Sequence, residues 1–171
     1  MTPTATPTTA PESTVRLNEV LPSPGEGADE WIELYHSGAD AVDLGGWSVD
    51  DGVGGSEPYL VPEGTILQPG AFILFYRLTS GVSLDDTGDE VRLIDPAGAV
   101  VDGVVVIPLA RDVSYSRDDA GIWHDNWPPS PGAPNVPLLP ASLIDGGRPS
   151  LSATGAASES WEVKRTGLHL R

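Results

Sequence analysis

Turn residues interrupt this chain so often that few stretches could hold a helix of ordinary length: 20 Gly and 17 Pro are spread through 171 residues. A helical bundle is excluded. Between the interruptions, apolar residues come in short runs, many alternating with polar ones, which is the pattern of strands. The runs predict eight strands, over 15–21, 30–35, 42–49, 58–61, 71–76, 90–94, 100–107 and 113–117. Eight short strands bury a core only as two packed sheets or a barrel, so the expected fold class is all-β with mostly antiparallel strands.

Two interruptions have a specific mechanism. In Gln68-Pro69-Gly70, Pro presets φ at the second turn position and Gly accepts positive φ at the third, as a type II turn requires. Asp95-Pro96-Ala97-Gly98 suits a type I turn and predicts a hairpin joining the strands on either side. Alternation then assigns faces. Ile32, Leu34, Val91 and Leu93 point inward, while Trp31, Glu33, Tyr35 and Arg92 point outward. The unbroken run 71–76 predicts a central strand covered on both faces, and Trp47, after Gly45-Gly46, is expected to plug the core.

Composition shifts divide the chain into residues 1–14, a Thr/Pro-rich linker; 15–135, the folded domain; and 136–171, a Pro/Gly/Ser-rich tail with a short basic end. In that tail, Trp161, Val163, Leu168 and Leu170 suit a short strand able to occupy a sheet edge, although disorder or loose docking is the favoured reading. The formal net charge of −16 belongs wholly to the middle segment, which has 21 Asp or Glu against 5 Arg and no Lys. Nucleic acid and anionic membrane are both repelled by such a body, so neither is expected as a partner. Absence of Cys removes disulfides, thiolate metal sites and cysteine catalysis. No stretch is apolar enough for a signal peptide or a membrane span. The Thr/Pro spacer nevertheless favours a monomeric module of a longer exported or surface chain over a cytosolic protein with an unstructured start.

Several residues are candidates for chemistry. Asp85, Asp86 and Asp89 crowd carboxylates as a weak Ca²⁺ site would, but Gly88-Asp89 equally suits a tight turn, and the turn is favoured. Trp123 and Trp127, with Trp31, offer an aromatic platform for a sugar ring or peptide; the competing role for Trp123 and Trp127 is covering one end of the sandwich. Glu33 is expected to form a structural, partly buried ion pair with Arg92 or Arg117 rather than to act in acid–base catalysis, which needs a second group. His36, His124 and His169 lack partners at metal spacing, and no nucleophile is identifiable, so no catalytic residue and no cofactor is expected.

Taken in order, the blocks N-E-V, E-W-I-E-L, D-L-G-G-W, P-x-G-T-x-L-x-P-G, G-D-x-V-R-L, D-x-x-G, S-x-x-R and P-x-P-G-x-P-N make the segment 15–135 resemble a bacterial lamin tail domain. The resemblance implies an immunoglobulin-like β-sandwich used as a non-catalytic module. It further implies an extracellular or cell-surface setting, often beside a hydrolase, where the module tethers or binds a protein or carbohydrate. A second reading is a carbohydrate- or Ca²⁺-binding module that targets a companion hydrolase. The chromatin role of the animal relatives does not carry over, because this chain has neither rod heptads nor a basic patch.

Overall fold

The computed structural model describes residues 13–137. Most of the Thr/Pro linker and nearly all of the tail, including the strand expected near Trp161, lie outside these residues. The described chain forms eleven strands: β1 Val15–Leu21, β2 Trp31–His36, β3 Val42–Asp43, β4 Ser48–Asp50, β5 Tyr59–Leu60, β6 Ile66–Leu67, β7 Phe72–Tyr76, β8 Asp89–Ile94, β9 Val100–Val106, β10 Ser114–Arg117 and β11 Trp123–Trp127. One helical turn, Arg77–Ser80, follows β7. Among the described residues no helix is long and apolar enough to cross a membrane.

The strands build a five-stranded sheet, β11-β10-β1-β2-β7, and a four-stranded sheet, β5-β4-β8-β9, with β3 and β6 pairing separately. All pairings are antiparallel. The inner faces meet in one apolar core. Leu17, Ile32 and Leu34 come from the first sheet, Val49, Val91 and Leu93 from the second, Leu67 from β6, and Leu44 and Val61 from the connections. This is the all-β architecture that the strand pattern predicts, in the immunoglobulin-like form that the resemblance implies.

Both proposed turns form. Ala71 N–H donates to Gln68 C=O at 3.0 Å with Gly70 at φ +72°, and Gly98 N–H donates to Asp95 C=O at 2.9 Å in the β8–β9 hairpin. Other expectations are corrected. The predicted strand 42–49 is broken into β3 and β4 by the Leu44-Gly45-Gly46 turn, where Gly46 takes φ +79°. Fully buried Leu44 fills the core there, while Trp47 is half-buried at its margin. β7 is an edge strand, not a central one: only Phe75 is buried along it, and Tyr76 is exposed. An apolar run fits either position, because the loops around a strand decide where it docks.

Candidate functional site

Residues 128–135 close the domain. Half of them are Pro and lack an N–H, and two that retain one aim it at a glutamate. Ser130 to Ala133 form a turn, closed by Ala133 N–H to Ser130 C=O at 3.0 Å, with Gly132 at φ +76°. The turn straps the outer face of the five-stranded sheet, where Glu19 of β1 and Glu33 of β2 stand opposite one another with 0% of their surface exposed. Ser130 N–H donates to both Glu19 carboxylate oxygens at 3.0 and 3.2 Å, and Gly132 N–H donates to Glu33 Oε2 at 2.6 Å. From the sheet, the Ser114 and Ser116 hydroxyls donate to Glu19, and the Asn18 amide donates to Glu33 at 2.8 Å. Asn135 fastens the far end, its Nδ2 donating to the carbonyls of Asn18 and Arg117, each at 2.9 Å.

A bulge puts Glu19 in this position. The β1–β2 register shifts between Leu17 and Glu19, so that Asn18 is the extra residue. Strict alternation would have turned Glu19 into the core beside Val15 and Leu17; after the bulge Val20 takes the core side instead. Two carboxylates thus share a buried site lined by hydroxyls and amides. The ion pairs among the described residues are Arg77–Glu30, Arg92–Asp50, Arg117–Asp102 and His124–Asp118, none of which reaches Glu19 or Glu33. Burial pushes the Glu33 carboxyl up to about 7, helped by the nearby Glu19 charge and opposed by the Gly132 and Asn18 hydrogen bonds. Burial likewise raises Glu19, against the hydrogen bonds from Ser114, Ser130 and Ser116. The Ser130 hydroxyl lies 2.7 Å from Asn135 Oδ1 and 3.1 Å from Glu19 Oε2. It has one proton to give, so both contacts are matched only when Glu19 Oε2 carries a proton.

Beside the strap, one row of side chains crosses the same face. Arg16, Tyr35 and Phe72 are register partners on β1, β2 and β7. The Arg16 guanidinium lies 5.4 Å from the Tyr35 ring centre, and the Tyr35 and Phe72 rings are 4.8 Å apart. This row, Arg117, Asp119 and the strap residues Pro134 and Asn135 line a cleft of about 240 Å³.

The residues singled out from the sequence fall elsewhere, apart from Glu33. Glu33 pairs with neither arginine. It faces outward from one sheet while Arg92 faces outward from the other, bound to Asp50 on the adjacent β4. Arg117, on β10, bonds Asp102 of β9 at 2.8 Å instead. Trp31 is 4% exposed and presents no platform. Trp123 and Trp127 lie on β11, and a register shift in the β10–β11 pairing places them on opposite faces. Trp123 stacks on Tyr115 against the core, and Trp127 stacks on His124 at 4.1 Å, so the two do not form one surface. In the acidic loop two of the three carboxylates serve the turn itself: Asp85 accepts from Thr87 N–H and hydroxyl, and Asp89 accepts from Asp85 N–H and Glu90 N–H, while Asp86 is exposed. The Thr87 bonds hold the Asp85 carboxyl below its ordinary value. Among the described residues no three His, Asp or Glu side chains come together as metal ligands would.

Glu19, Ser130, Asn135 and Arg16 were not singled out from the sequence as site residues. Their one signal was that N-E-V, E-W-I-E-L, S-x-x-R and P-x-P-G-x-P-N, four of the ordered blocks, converge here.

The family model for the Lamin Tail Domain matches residues 8–108, more than half of the chain. No curated protein matches it.

Proposed function

Because the chain belongs to the lamin tail domain family, a family of non-catalytic immunoglobulin-like modules, we propose that it is a tethering or binding unit of a bacterial secreted or cell-surface protein. The observation that carries this reading is the preformed cleft beside the strap. One wall is fixed by the bonds of Asn135 to two strands and the other by the Arg16–Tyr35–Phe72 row, so little ordering entropy is lost when a ligand enters. The Thr/Pro-rich segment at 1–14 supports a place beside other modules. The body's −16 charge favours neutral or basic partners over nucleic acid.

The test uses the 171-residue chain, fluorescently labelled, on intact source cells and on their isolated envelope. Saturable attachment, weakened when Tyr35→Ala and Phe72→Ala are combined, is expected. Attachment no greater than that of an unrelated acidic protein, or detection of the native protein in the cytosol alone, overturns the proposal.

A further inference from the structure

The domain has a large surplus of acids, yet among the described residues two of its five arginines, Arg16 and Arg111, bond no carboxylate. Arg77, Arg92 and Arg117 each bond a carboxylate, and Arg111 donates to Pro24 C=O. The Arg16 guanidinium donates to no protein acceptor among the described residues, and its Nε is shielded from solvent without a partner. Its contact with the Tyr35 ring, which packs against Phe72, holds it in place at the cleft. Arg117 lines the same cleft, with one guanidinium nitrogen committed to Asp102 and its own Nε unpartnered. Asp119 stands exposed at the rim. A preorganised, unspent guanidinium is a binding element for a planar carboxylate, and it has already lost much of the side-chain freedom that binding would otherwise remove.

On the reading that this cleft is the module's binding site, we propose that it captures the free carboxyl terminus of a peptide chain, the α-carboxylate at Arg16 and a preceding basic or neutral residue toward Asp119. A cleft of about 240 Å³ admits a residue or two, as a chain end presents them. Polyanions such as acidic polysaccharides are disfavoured, because the charges beyond the first meet a body of net −16. A chain end brings one carboxylate, and its basic side chains are attracted to the surrounding acids.

The probes are N-acetyl-Lys-Lys-Ala-Leu as the free acid and as its C-terminal amide, with glucuronate and inorganic phosphate as further arms. They are titrated into the ¹⁵N-labelled full chain while the side-chain Nε–H resonance of Arg16 is followed. The free acid is expected to shift that resonance saturably and to bind about tenfold more tightly than the amide, the effect of one charge-assisted bidentate contact. In Arg16→Gln, with amide dispersion showing an intact fold, the difference between acid and amide is expected to vanish. Equal binding of acid and amide, glucuronate or phosphate binding as tightly as the peptide acid, or a difference that survives Arg16→Gln each overturns the inference. If the chain attaches to envelopes and no probe reaches Arg16, the inference falls while the tethering reading stands; loss of envelope attachment as well overturns both.

Discussion

Raising the pH from 5 to 8 should destabilise this domain, and Glu33 supplies the largest calculable share of the loss. Its carboxyl has an ordinary value of 4.5 and is pushed to about 7 in the fold, so the folded state binds a proton that the unfolded state releases between those values. A raised carboxyl stabilises the fold fully below pH 4.5, and that contribution is lost as pH rises through 7. Two and a half units at roughly 1.4 kcal/mol each amount to about 3 kcal/mol, a large part of the 5–15 kcal/mol typical of a domain. Glu19, shifted in the same direction, adds to the slope. Glu33→Gln isolates the main contribution. Glutamine accepts the Gly132 N–H, and Asn18 can turn its amide to present Oδ1; a rearranged buried hydrogen bond costs about 1 kcal/mol. At pH 8 the variant should therefore be about 2 kcal/mol more stable than the wild type, and near pH 5 about 1 kcal/mol less stable. Urea denaturation at fixed ionic strength and half-unit pH steps reads both. Wild-type stability that is flat or rising from pH 5 to 8, or a Glu33→Gln slope equal to the wild type, would refute the buried-carboxylate account.

Three further outcomes are expected. Asn135→Ala leaves the Asn18 and Arg117 carbonyls without their donor and should cost about 2 kcal/mol in thermal denaturation; a change below about 0.5 kcal/mol means the strap does not depend on it. Trp31→Ala removes a buried indole and should cost about 3 kcal/mol or more, whereas a surface platform residue would leave folding unchanged. A calorimetric Ca²⁺ titration should show no micromolar binding, with wild type and Asp86→Asn plus Asp89→Asn superimposing; a saturable isotherm lost in the double variant would restore the metal reading.

Local chemistry made part of this molecule legible in its residues. The Gln68-Pro69-Gly70 and Asp95 to Gly98 turns form where their residues demand, because φ preferences act within four residues and need no partner. Ile32, Leu34, Val91 and Leu93 point inward as alternation requires. β11 escaped that reading because W-H-D-N-W has no apolar alternation; its strand state comes from pairing with β10.

From its sequence alone, this protein is an all-β fold, strongly acidic over residues 15–135, with ordered blocks that resemble lamin tail domains. Period, turn chemistry and charge are properties of neighbouring residues, so they survive without coordinates. Which side chains meet is a different matter. One inserted residue, Asn18, reverses the direction of everything after it in β1 and brings Glu19 out of the core to face Glu33; another irregularity separates Trp123 from Trp127. Ser130 and Gly132 reach those glutamates from 111 and 99 positions away. A bulge shows only in the pairing of two strands, and burial of a carboxylate only in what folds over it, so the site, its proton affinity and the unspent Arg16 beside it were decided by the tertiary structure.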